Sequence, residues 1–145
     1  MPILNYTTKV DAITTMGEIK IILRKHGARK ILEEFAQDGT DDGRVEALSF
    51  TIMTPDGEKG FKLPANVSAV YTVLQKQKVK CDWEQAERVA WRIIKDWVAA
   101  QMAILEAEMV TLEEIFFPYL LDAAGEKTLF QAYRDKQLLL GGAKV

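Results

Sequence analysis

The stretch RVEALSFTIMTPDGEKGFKL, residues 44–63, decides the fold of this chain. Its first half alternates between apolar and polar side chains, which places Leu48, Phe50 and Ile52 on one face of a strand. The sequence Thr-Pro-Asp-Gly at 54–57 is typical of a turn, and the alternation resumes after it. The stretch therefore predicts a β-hairpin with one apolar face.

The residues before this hairpin predict a third strand and a first helix. Residues 29–36 suit a strand, although their alternation is imperfect, so we expect an antiparallel meander of about three strands. Thr15 and Glu18 have the spacing of a capping box and predict a helix over 15–26. Residues 5–10 are rich in β-branched side chains and suit a further short strand.

The second half of the chain is predicted to be helical. Residues with N-capping character precede its apolar runs, at Asn66, Asp82, Thr111 and Thr128. Residues 83–109 contain neither Gly nor Pro, which allows one helix of about 27 residues and about 40 Å. Pro118 should stop or kink the segment that follows Thr111.

These elements together predict an α+β fold in a single domain, 1–145. A small antiparallel β-meander of about three strands packs against helices, and the helix-rich C-terminal half contains the long helix. Residues 1–64 supply the first helix and the meander, residues 65–140 supply the helical part, and residues 141–145 form a loose tail.

The composition excludes several kinds of site. The chain has 145 residues, of which 48% are hydrophobic and 28% charged, so it can bury a core without disulfides. A single Cys, Cys81, excludes an intramolecular disulfide framework, and a single His, His26, excludes a site that needs two imidazoles. The sequence lacks a signal-peptide pattern and a long apolar run, so we expect a cytoplasmic protein without a membrane partner.

The charges are unevenly distributed although the formal net charge is only -2. Residues 96–126 contain acidic residues and no Lys or Arg. A basic cluster lies near the end of the first predicted helix and consists of Lys20, Arg24, Lys25, Arg29 and Lys30. The cluster could bind the phosphates of a nucleotide or nucleic acid, and the acidic segment could imitate a nucleic-acid backbone. A third interpretation is that both are solvated faces, which meet across an oligomer.

The long helix has more than one surface that could pack. Its three tryptophans and several aliphatic residues form one stripe, which is either core or a cage for a ligand. Small residues form a ridge on the opposite side. We therefore predict a homo-oligomer, with an interface that includes Trp91, Trp97, Ala99, Ala103 and Ala107. The alternative is a monomer whose C-terminal helices cover both faces.

Two metal-binding patterns are incomplete. Residues 38–43 resemble the start of an EF-hand loop, but its twelfth position is Ser49 where a bidentate Glu is required, so calcium is rejected. Glu84 and Glu87 resemble the paired carboxylates of helical Mg²⁺-dependent nucleotide pyrophosphatases, and carboxylates in 106–114 would have to complete that site. We therefore expect no metal or cofactor, and keep a nucleotide hydrolase as an alternative.

Several stretches resemble a family of small proteins encoded by bacteriophages and prophages, and the resemblance covers nearly the whole chain. They are KHGAR at 25–29, LPANV at 63–67, QAERVAWRIIKDW at 85–97 and FPY at 117–119. The resemblance implies a phage protein in the bacterial cytoplasm and assigns no catalytic or binding residue.

The leading hypothesis is a non-enzymatic binding protein of phage type that acts by contact. It would block a host defence component or sequester a nucleotide or nucleic acid. The alternatives are the Mg²⁺-dependent hydrolase and a structural protein whose role is its homo-oligomeric assembly.

Overall fold

A computed structural model describes residues 1–37 and 43–136 of the chain. Its helices and strands are α1 (Ala12–Lys25), β1 (Ala28–Phe35), β2 (Val45–Thr54), β3 (Gly57–Pro64), α2 (Val67–Lys76), α3 (Trp83–Glu106), α4 (Leu112–Phe116), a 3₁₀ turn (Phe117–Tyr119) and α5 (Leu129–Lys136). The predicted α+β class, the three-stranded meander and the long helix are confirmed. The rejected calcium loop, apart from its last residue, and the tail at 141–145 lie outside the described residues.

The sheet has the order β1-β2-β3 and is antiparallel throughout. Its register pairs Phe50 of the central strand with Ile31 on one side and Phe61 on the other, so that these three side chains share one face. The hairpin closes with Thr54 opposite Gly57, whose φ of 113° favours glycine. The alternation in the sequence therefore predicts the buried face correctly.

The core joins this face of the sheet to the helices. The rings of Phe50 and Phe61 stack at 5.3 Å, and the ring of Phe116 from α4 contacts both of them. Trp97 of α3 packs edge-on against Phe116 at 5.6 Å. Trp91, also of α3, is completely buried in the same hydrophobic cluster, to which α1 contributes as well. The amphipathic helices thus cover the apolar face as the hairpin requires.

The start of the chain differs from the prediction. Helix α1 begins at Ala12, one turn earlier than predicted, and Thr15 is completely buried within it. The carboxylate of Glu18 accepts a hydrogen bond from Arg92 of α3 at 2.9 Å, so Thr15 and Glu18 do not form the predicted capping box. Residues 5–7 form part of a turn and residues 8–10 have no regular secondary structure, so the further strand predicted over 5–10 is absent. The helix extends upstream of Thr15 because Ala12 packs against the core and Thr15 itself is buried, and these tertiary contacts outweigh the local capping signal.

The caps in the second half of the chain are confirmed. The side chains of Asn66 and Asp82 accept hydrogen bonds from backbone N–H groups at 3.0 and 2.9 Å. Thr111 and Thr128 each exchange reciprocal hydrogen bonds with the residue three positions on. Helix α3 has 24 residues, slightly fewer than the sequence allows. It ends because Glu108 has a positive φ of 58°, which is incompatible with a continuing α-helix.

Candidate functional site: a basic groove beside the first helix

Three residues of the predicted basic cluster meet in one groove between α1 and β1. Lys20 and Arg24 lie one turn apart on α1, so their side chains share a face of the helix. Arg29 stands at the start of β1, where an irregularity in the pairing with β2 separates Ala28 from Lys30. The groove has a volume of about 300 Å³, and its remaining lining is apolar: Ile21, Ala28 and Ile31.

Among the described residues, the lining of the groove contains three cationic side chains and no carboxylate. Lys20 forms an ion pair with Glu33 of β1, with 2.8 Å between Nζ and Oε1, and both side chains are more than one third exposed. Neither Arg24 nor Arg29 forms an ion pair with any residue in the parts of the chain that the structure describes, and both are exposed. An exposed ion pair such as that of Lys20 is weak, so it could open when an anion enters.

The other two basic residues are not in the groove. Lys25 is exposed at the end of α1, outside the groove lining. Lys30 lies opposite Thr51 on the face of the sheet that points away from the core, and its Nζ is 3.8 Å from Glu58. The pKa of the Glu58 carboxyl is lowered, chiefly by a hydrogen bond from Thr51 and to a smaller extent by Lys30 and Arg29. The predicted five-residue cluster is thus divided: three residues line the groove, Lys25 lies outside it at the end of α1, and Lys30 lies on the outer face of the sheet.

Glu84 and Glu87, two of the carboxylates proposed for a hydrolase, line a second, larger cavity of about 580 Å³. It opens between the starts of α1 and α3 and the end of β1, and its charged lining is Asp11, Glu33, Arg44, Glu84, Glu87 and Arg88. The guanidinium of Arg88 is 3.5 Å from Glu84 and 3.9 Å from Asp11. Among residues 1–37 and 43–136, no three His, Cys, Asp or Glu side chains are placed to hold a metal ion.

The downstream carboxylates do not join this cavity. Glu106 is 19 positions after Glu87 on the same helix, which separates the two backbones by about 28 Å. Its carboxylate contacts His26, and the carboxylate of Glu114 completes the cap at Thr111. The hydrolase site predicted from Glu84, Glu87 and the 106–114 region is therefore not assembled.

The predicted oligomer surface of α3 is largely core on its tryptophan side. Trp91 is 0% exposed within the single chain, so it has no surface to offer a second chain. Trp97 is partly buried against Phe116 and Tyr119. On the opposite side of α3, Ala103 and Ala107 are exposed and Ala99 is partly buried.

His26 has a structural role that the sequence did not indicate. Its Nδ1 lies 2.8 Å from the carbonyl oxygen of Ile22, and its Nε2 lies 2.8 Å from the carboxylate of Glu106. These two contacts raise the pKa of the imidazole, the backbone contact more strongly. His26 thereby joins the C-terminal ends of α1 and α3, which are about 80 residues apart in sequence.

No protein-family model, curated protein or solved structure matches the chain. Within the described residues, no helix combines the length and apolar character that crossing a membrane requires.

Proposed function

We propose that this chain is a non-enzymatic binding protein that holds phosphate groups in the basic groove of Lys20, Arg24 and Arg29. The observation that supports this proposal is the convergence of three cationic side chains from two elements, two of which have no ion-pair partner in the described chain. Arginine is well suited to phosphate because its planar guanidinium donates two parallel hydrogen bonds to phosphate oxygens.

The lining of the groove favours contact with a nucleic-acid backbone over recognition of bases. Its volume of about 300 Å³ lies at the lower end of ligand cavities and suits a phosphate with part of its sugar. The lining contains no aromatic side chain on which a base could stack. Binding should therefore depend strongly on salt and little on sequence.

The resemblance of residues 25–29, 63–67, 85–97 and 117–119 to small phage proteins supports a bacterial setting for this function. In this setting the chain works in the bacterial cytoplasm and acts by contact, by sequestering a nucleic acid or nucleotide. Blocking of a host defence component is the second candidate, and the outward-facing acidic residues of 96–126 would then imitate a nucleic-acid backbone. The phosphate proposal is preferred because a defined groove supports it.

The test is fluorescence anisotropy with labelled single-stranded and double-stranded oligonucleotides of unrelated sequence, and with a labelled mononucleotide. The variant R24E/R29E reverses both unpaired charges and should weaken binding at least about tenfold, since two phosphate contacts become repulsive. The matched control is K76E/K80E, which makes the same change of net charge on exposed residues at and beyond the end of α2.

The two variants separate a local site from a general effect of charge. The control should change the affinity by less than about threefold, because its residues are outside the groove. Equal losses in both variants would show that only net charge matters. Absence of binding by the unmodified chain to every probe at low salt would refute the proposal.

A further inference from the structure

Among residues 1–37 and 43–136, the sheet has one open edge. Strand β1 pairs only with β2, and no residue in the described parts of the chain forms a backbone hydrogen bond to its other edge. The outer edge of β3 is instead covered, because Phe61 forms a bridge with Leu120 and the N–H of Leu121 donates to the Gly60 carbonyl at 2.8 Å. An uncovered edge strand presents N–H and C=O groups that can pair with another chain.

The regular part of this edge is short and centred on one exposed leucine. Irregularities at each end of β1, between Ala28 and Lys30 and between Glu34 and Phe35, leave a regular ladder from Lys30 to Glu34. Leu32 is the central residue of this ladder, lies opposite Ser49 on the outer face of the sheet, and is 65% exposed. A large apolar side chain at the centre of an open edge is a natural contact point for a second strand.

The charges of this ladder are complementary to themselves. Consider a two-fold axis that is perpendicular to the sheet and passes between Leu32 of one copy and Leu32 of a second. This axis makes the two β1 strands antiparallel and leaves the outer faces of both sheets on the same side. That axis places Lys30 of each chain opposite Glu34 of the other, with the two Leu32 side chains in contact between them. Lys30 and Glu34 are both solvent-accessible on this face.

We propose that two copies of this chain form a two-fold dimer by antiparallel pairing of their β1 edges, which creates one continuous six-stranded sheet. The self-complementary order Lys30, Leu32, Glu34 selects a second copy over an unrelated peptide, because both ion pairs and the apolar contact arise from one register. The pairing uses none of the three cationic groove residues, because Lys20 and Arg24 lie on α1 and Arg29 precedes the ladder from Lys30 to Glu34. It also replaces the alanine ridge of α3 as the principal contact between copies.

The test is sedimentation-velocity centrifugation of the full chain over a range of concentrations. The unmodified chain should dimerise reversibly. K30E places Glu opposite Glu in both pairs, and E34K places Lys opposite Lys, so each variant should raise the dimer dissociation constant at least about tenfold. An equimolar mixture of K30E and E34K should dimerise again, because both pairs are complementary in the mixed dimer.

The mixture distinguishes a register-specific contact from damage to the fold. Lys30 and Glu34 also contact Glu58 and Lys62 within the chain, and loss of those contacts cannot explain recovery on mixing. A103E serves as a control on the exposed ridge of α3 and should leave dimerisation unchanged. A monomeric unmodified chain, a dimer insensitive to K30E, or a mixture that stays monomeric would each overturn the proposal.

Discussion

The contact between His26 and Glu106 should make stability depend on pH in a defined direction. In the folded chain the pKa of His26 is raised, first by the Ile22 carbonyl and second by Glu106, while burial and the charge of Lys25 oppose the rise. A higher pKa in the folded chain means that protonation favours folding. The stabilisation is complete below the unfolded-state value of about 6.5 and is lost as the pH rises through the raised value.

The size of the effect follows from the geometry. A hydrogen bond to a charged partner contributes about 1.5–3 kcal/mol when it is shielded from water. The carboxylate of Glu106 is 69% exposed, whereas the imidazole is 22% exposed, so solvent weakens the interaction between them. We therefore expect protonation of His26 to contribute about 1 kcal/mol to the free energy of unfolding.

The assay is urea unfolding of the unmodified chain and of His26→Gln, followed by circular dichroism. The difference in unfolding free energy between the two should be about 1 kcal/mol larger at about pH 5.5 than at about pH 9. Glu106→Gln removes the charge of the partner and should reduce this pH dependence. A difference that is the same at both pH values, or larger at about pH 9, would refute the reasoning.

Three further predictions concern the core, the helix caps and the thiol. Phe116→Ala should lower the free energy of unfolding by about 3–5 kcal/mol, measured by urea unfolding, because the ring is completely buried. Asp82→Ala should cost about 1 kcal/mol because its carboxylate accepts the first-turn hydrogen bond of α3. Asp11→Ala should cost less, since Asp11 makes no such bond at α1, and an equal cost in the two variants would contradict the assignment. Burial and then the charge of Asp82 raise the pKa of the Cys81 thiol, so it should react more slowly with a disulfide reagent near neutral pH than a free cysteine, and reaction at the free-cysteine rate would contradict this.

The sheet could be predicted because its signals are local. Alternation at Leu48, Phe50 and Ile52 and the turn before Gly57 are properties of a short stretch, and both are retained in the fold. The caps at Asp82 and Thr111 are local in the same sense, since each depends on hydrogen bonds within one helical turn.

The start of α1 and the tryptophan surface could not be predicted because they depend on distant contacts. Thr15 is a residue type that often caps a helix. In the structure, however, α1 begins upstream of it, and Thr15 is completely buried. Trp91 has the spacing of either a core or an interface residue, and only the docking of α3 on the rest of the chain decides between these.

The basic groove could be predicted only in part. Lys20 and Arg24 share a helix face, which the sequence shows. Arg29 lies in the groove with these two residues, whereas Lys30 lies on the outer face of the sheet. The irregularity between Ala28 and Lys30 at the start of β1 decides which face each of the following side chains occupies. The sequence carries no clear signal for such an irregularity and therefore predicts one cluster of five basic residues.

The central claim is that the groove of Lys20, Arg24 and Arg29 holds phosphate, and the salt dependence of nucleic-acid binding tests it most directly. Affinity for a labelled duplex should be measured between about 50 mM and about 200 mM salt for the unmodified chain and for R24E/R29E. We expect the slope of log K against log salt to be negative and to become shallower by about 2 in the variant, equally for two unrelated duplex sequences. The same slope in both proteins would contradict the account.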